Sequence, residues 1–155
     1  MRLGALTAAL LLGGAACNDD GGPAEFPIQL VAGDHLVVQT IPTDDPPRSD
    51  PATITAARLS VDQLDLDIRY AGGCRTHRFG AFTDGKEGLS NPPFIMLYLV
   101  HDSDGDACEA AVTRTLHLDL TPLRGPPRGA LVTLLIRLIE PDGTPASVGD
   151  VVYQF

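Results

Sequence analysis

From Leu64 to Tyr70 apolar and polar residues alternate without a break. Leu64, Leu66, Ile68 and Tyr70 fall on one face, Asp65, Asp67 and Arg69 on the other. A period of two is that of a β-strand with one buried face and one wet face. Thr53 to Leu59 reads as its partner, joined to it around Ser60-Val61-Asp62-Gln63. Thr76 to Phe82 predicts another strand, with His77, Phe79 and Ala81 sharing a face. Phe94 to His101 is apolar on both faces, as a strand in the middle of a covered sheet should be. Ala110 to Leu120 predicts the strand that returns the chain. Ala130 to Ile139 and Val148 to Phe155 predict a closing hairpin around Pro141-Asp142-Gly143 and Thr144-Pro145. Upstream, the β-branched run Leu36 to Ile41 predicts a first strand within Ile28 to Ile41.

Breaks separate these runs. Pro42-Thr43-Asp44-Asp45-Pro46-Pro47-Arg48-Ser49-Asp50-Pro51 cannot supply a regular ladder of donors and predicts an exposed loop. Gly72-Gly73 offers a position for positive φ and predicts a bend before Cys74. Loops are also expected over Asp84 to Pro93, Asp102 to Asp106 and Pro122 to Gly129. No stretch carries a convincing helical period. Seven or eight strands with turn signals between them predict an all-β, antiparallel, Ig-like β-sandwich, with a flattened barrel as the alternative.

The chain start changes the picture of where this domain resides. Met1-Arg2, the apolar run Leu3 to Leu12 and the small residues Gly13-Gly14-Ala15-Ala16 have the make-up of a secretion signal. Cys17 follows at once, as in the signal of a bacterial lipoprotein, where that cysteine carries the lipid. Residues 18–27 are rich in Gly, Asp and Pro and read as a flexible tether. The division expected is a signal peptide at 1–16, a lipidated Cys17 with its tether at 17–27, and a single domain at 28–155. Membrane attachment would then come through the lipid, since no later run approaches ~18 uninterrupted apolar residues.

The formal charge of the chain is −9 and falls to −10 once Arg2 leaves with the signal. With no Lys/Arg cluster, such a surface repels phosphate backbones, so nucleic acid is not expected as a partner.

The candidate chemistry lies in the middle. With Cys17 lipidated, Cys74 and Cys108 remain as an even pair in an oxidising compartment, and one disulfide is the first reading. Closing a loop of that size stabilises a fold by roughly 3 to 4 kcal/mol. The rival is a metal site. Cys74-x2-His77 with His101-x6-Cys108 offers the thiolates and imidazoles of a tetrahedral zinc centre, provided the Gly-Gly bend continues past the cysteine. Copper would draw on His35 as well, but the methionine and cysteine spacing of a blue-copper site is missing. Asp102, Asp104 and Asp106 with Glu109 suggest an irregular calcium loop, although glycine and glutamate are not where an EF-hand places them. The metal candidates are therefore His77, His101, Asp102, Asp104 and Asp106. Against them stands a plainer expectation: His77 and His101 fall in register with apolar neighbours and read as partly buried, hydrogen-bonded side chains. His117 alternates with Thr115 and Asp119 on a wet face. A disulfide would also bring Arg75 and Arg78 near the acids around Cys108. No Gly-x-Ser-x-Gly, His-Glu-x-x-His or phosphate-cradling glycine loop is present, so no catalytic residue is assigned.

Taken together, Tyr70-x-Gly72-Gly73-Cys74-x2-His77-x-Phe79, His101-Asp102 with Gly105-Asp106-x-Cys108, and Asp119-Leu120-Thr121-Pro122-Leu123 resemble a group of uncharacterised bacterial envelope lipoproteins. The resemblance runs from about Thr53 to the carboxyl end. It implies a secreted or lipid-anchored β domain and brings no established activity. The function expected is a binding or structural module of the cell envelope, the alternative a metal-binding envelope protein.

Overall fold

The computed structural model describes residues 28–124 and 131–154. The expected signal peptide, Cys17, the tether, most of the Pro122–Gly129 loop and Phe155 lie outside the described residues. Among the described residues ten strands follow one another: β1 (His35–Val37), β2 (Gln39–Thr40), β3 (Thr53–Ser60), β4 (Gln63–Gly72), β5 (Arg78–Thr83), β6 (Glu87–Gly88), β7 (Phe94–Asp102), β8 (Ala110–Asp119), β9 (Leu131–Ile139) and β10 (Pro145–Gln154). A short 3-10 turn, Thr121–Leu123, precedes β9.

The strands form two sheets, in the orders β1-β8-β4-β3 and β10-β9-β7-β5-β2, with β6 beside β7. This is the expected all-β sandwich with one difference: both sheets are mixed. The pairs β1–β8, β2–β5 and β7–β9 are parallel. The parallel pair β7–β9 arises because β8 belongs to the opposite sheet. The chain leaves one layer after β7 and re-enters it in the same direction, a crossover that a hairpin cannot make. The flattened barrel is not formed, since β3 and β10 run near one another without sharing a ladder.

The alternation read from β4 is the inner surface of the sandwich. Leu64, Leu66 and Ile68 are fully buried and Tyr70 nearly so, packed with Leu116 and Leu118 of β8 and with Phe79, Leu97, Leu99 and Leu134 from the facing sheet. Each such aliphatic side chain contributes about 1.5 to 3 kcal/mol on burial. The row on β4 alone therefore outweighs the roughly 4 kcal/mol available from one disulfide. The apolar interior, more than the covalent link, carries this fold.

The β7 strand occupies the centre of its sheet and is covered on both sides. Ile95, Leu97 and Leu99 face the interior. Tyr98 and Val100 face outward into a second cluster with Phe82, Ile139 and Ile28, against which Leu30, Ile41 and Met96 pack. Ile28, Leu30 and Ile41 thus strap the outer face of one sheet, and the chain at 28–41 departs from the single first strand expected of it. Val31 bridges to Phe79, β1 then joins β8 in the other sheet, and β2 returns to β5. Gly80 makes the strap possible: a β-carbon there would stand 2.7 Å from both Ile28 Cγ2 and Leu30 Cδ2.

The Pro42–Pro51 segment is also more than an exposed loop. Ser49 is buried, and where β9 ends alongside β7 the pair Ser49-Asp50 takes its place. Asp50 N donates to the His101 carbonyl (2.8 Å) and His101 N donates to Ser49 Oγ (2.9 Å).

Candidate functional site

The middle of the chain converges at one end of the sandwich core. His101 continues the inward row of β7, opposite Phe79 in the register of β5, and His77 lies two residues before Phe79. Between β4 and β5 the backbone leaves the ladder at Gly72-Gly73, with φ of 156° and 111°. The bend does continue past Cys74, and it turns His77 back over the Gly72 α-carbon.

Cys74 and Cys108 are joined in a disulfide, with Cα atoms 6.0 Å apart. Beside it sits Asp106, whose side chain is 1% exposed. Its Oδ2 accepts from the backbone N–H of Cys74 (2.8 Å) and of Arg75 (2.9 Å), and its Oδ1 accepts from Cys108 N (2.9 Å). The backbone donors, Cys108 foremost, outweigh the cost of burial and hold the carboxyl well below the usual carboxylate range. Asp106 is therefore an ionised group locked into the two cysteine-bearing segments.

From Asp106 a line of contacts runs into the core. Oδ2 lies 3.1 Å from His77 Nε2. His77 Nδ1 lies 2.7 Å from His101 Nε2, and His101 Nδ1 lies 3.3 Å from the Asp50 carbonyl oxygen. Both rings are almost fully buried. Phe79 stacks on His101 at 4.7 Å between ring centres, and Tyr70 caps both imidazoles at 4.5 and 5.0 Å. Burial first, then the charge of His77, lowers the His101 pKa against the pull of the Asp50 and Pro51 backbone. The Asp50 carboxylate accepts from both the amide and the hydroxyl of Ser103 at 2.6 Å. Burial is the largest single influence on its pKa and would raise it, but these bonds and the two histidines together lower it.

The expected partly buried, hydrogen-bonded histidines are thus what the fold builds, while the expected metal ligands do not assemble. Of His77, His101, Asp102, Asp104 and Asp106, only the two rings and Asp106 meet. The facing ring nitrogens are closer than the roughly 3 Å or more that two ligands at about 2.0 Å from one zinc or copper would keep. Asp102 turns outward to Arg78 (2.5 Å), and Asp104 lies beside Arg75, whose Nη1 donates to the Asp104 carbonyl (2.7 Å). The three carboxylates therefore point to different partners, and no calcium cage forms. Cys74 and Cys108 approach Asp106 as ligands would, but their sulfurs are spent on each other. His35, considered for copper, stacks on His117 at 4.9 Å elsewhere in the fold, and His117 pairs with Asp65 at 2.7 Å.

Sequence reasoning missed Ser49, Asp50 and the role of Gly72. A Ser-Asp pair closing a proline-rich loop is a sign of local side-chain hydrogen bonding, but nothing local tells that its target is His101. Two grooves of about 490 and 500 Å³ open on the surface, the second of them bordered by Tyr70, the ring that caps both imidazoles. One is lined by His35, Val61 and His117, the other by Thr55, Arg69 and Glu109.

No family model and no curated protein matches the sequence. The fold is similar to that of a NigD-like immunity protein from Bacteroides caccae, with a TM-score of 0.55 and 20% identity over 77% of this chain and 64% of that one. It is similar to a toxin-related protein from Parabacteroides distasonis, with a TM-score of 0.55 and 15% identity over 77% and 61%. A third likeness is to a protein of unknown function, DUF1344, from Bacteroides vulgatus, with a TM-score of 0.51 and 9% identity over 78% and 56%. This chain therefore spans less than two thirds of each of those chains, and the likeness is one of fold.

Proposed function

We propose that the protein is an exported module of a bacterial cell envelope, anchored by a lipid on Cys17, that works by binding or as a structural component rather than by catalysis. One observation carries this reading. The reactive side chains gathered mid-chain, two sulfurs, two imidazoles and a carboxylate, are bonded to one another or buried in the core. Such a cluster supports a built fold with its working surface elsewhere. The disulfide supports an oxidising compartment. The signal-like residues 1–16, Cys17 and the lipoprotein-like pattern support the anchor. The fold shared with an immunity protein and a toxin-related protein supports a small module of this kind.

The test is metabolic labelling with a fatty-acid analogue in a bacterial host, comparing wild type with Cys17→Ala. Label and membrane association are expected in the wild type and lost in the variant. An unlabelled wild type recovered from the soluble fraction would overturn the anchor.

A further inference from the structure

The contacts of the two buried imidazoles constrain where their protons can sit. An ionised carboxylate only accepts, so His77 Nε2, facing Asp106, carries hydrogen. A carbonyl also only accepts, so the 3.3 Å contact between His101 Nδ1 and the Asp50 oxygen is a hydrogen bond only when that nitrogen carries hydrogen as well. In two neutral rings these would be the only protons. His77 Nδ1 and His101 Nε2 would then present two lone pairs to each other at 2.7 Å in a site closed to water. That is a repulsion at a distance that belongs to a strong hydrogen bond.

We propose that His77 and His101 bind one additional proton between their facing nitrogens, so that the pair is a buried site for a single proton with Asp106 as its counterion. Three protons on four nitrogens satisfy every contact in the line, and the cation and carboxylate cancel. The surroundings suit a cation. The Asp50 carboxylate approaches from the loop before β3, Tyr70 from β4 lays its ring over both imidazoles, and Phe79 stacks on His101. The facing cation, Arg114 of β8, is on the Phe79 ring at 5.5 Å and is tied to Asp34. A second proton is refused, because burial and the charge already on the partner ring both oppose it.

The proton joins three segments: the bend at 73–77, the turn at 102–108, and Ser49-Asp50. When it leaves, one ring must change tautomer or turn, and so give up its bond to Asp106 or to the Asp50 carbonyl. Since the folded pair keeps a proton that free histidines release near pH 6.5, stability falls as pH rises through the release point of the pair.

The test uses the full folded chain labelled with ¹⁵N-histidine, followed by NMR from about pH 5 to about pH 9. At neutral pH three ring N–H protons are expected over the pair, one of them coupled to both His77 Nδ1 and His101 Nε2. Two protons only, one per ring, throughout the folded range would overturn the proposal. His77→Gln, if it folds, should lose the alkaline fall in melting temperature, and an unchanged fall would count against the pair as its source. If it does not fold, the wild-type proton count decides alone.

Discussion

The imidazole of His77 lies so close to Gly72 that a β-carbon added there would stand 2.3 Å from Nε2 and 2.5 Å from Cε1. Glycine at this position is a requirement of the histidine, and the backbone φ of 156° suits it as well. Gly72→Ala should therefore push the ring off Asp106 and cost about 2 to 4 kcal/mol, from overpacking and strained backbone together. Gly33→Ala is the control, since nothing lies within 4 Å of its added carbon. Equal urea midpoints for the two variants would contradict this packing.

Replacing both cysteines removes a cross-link between residues 34 apart in sequence. The chain-entropy model gives a loss of about 4 kcal/mol. Because the apolar core remains, Cys74→Ala with Cys108→Ala should still fold cooperatively, with a lower midpoint and native-like β circular dichroism. An unfolded double variant would show that the link, and not the interior, carries the fold.

Acid should destabilise the protein in two stages. His101 has a pKa below its ordinary 6.5, so the unfolded chain takes up a proton that the folded site resists. Stability falls as pH drops below that value, at up to about 1.4 kcal/mol per pH unit for one proton. Asp106 is also depressed, from an ordinary 3.8, and its contribution is complete above that value and lost as pH falls toward the depressed one. Asp50 and Asp67 are depressed as well, so Asp106→Asn should shrink the second stage without abolishing it, and should lower stability at neutral pH. Asp104→Asn, at an exposed carboxylate, should do neither. Thermal melts across the acid range read both, and a wild-type melting temperature unchanged below pH 6.5 would sink the first stage.

The strap across the outer face gives a fourth expectation. Gly80→Val would drive methyl groups into Ile28 and Leu30, which already crowd its α-carbon. It should displace residues 28–31 from β5 and cost about 1 to 3 kcal/mol. Limited proteolysis would detect it as new cleavage near Leu30 with the rest of the sandwich protected.

What the sequence disclosed follows from which forces are local. The alternation from Leu64 to Tyr70 and the two-sided apolar run at Phe94 report burial directly, and both strands lie where the pattern put them. Cys74, His77, His101 and Cys108 stood out by residue type, and the fold does bring them to one end of the core. Their partners were hidden because those contacts are made by the backbone at long range. Besides its local bond from Cys108 N, Asp106 is held by the distant N–H groups of Cys74 and Arg75, and Asp50 reaches its place through a main-chain bond to His101. Parallel pairing was equally silent, since the side-chain pattern of a strand does not depend on the direction of its neighbour. The split of the first strand has its own cause: Val38 is buried between β1 and β2, where the chain passes from one layer to the other.

That passage sets how the domain would bear a mechanical load. β1 is hydrogen-bonded to β8 and β2 to β5, each running parallel to its neighbour. Tension entering from the amino-terminal side is shared between two layers and meets both ladders lengthwise, so their bonds must slide together rather than break in succession. A load entering ahead of residue 28 would thus meet these two short parallel ladders in shear.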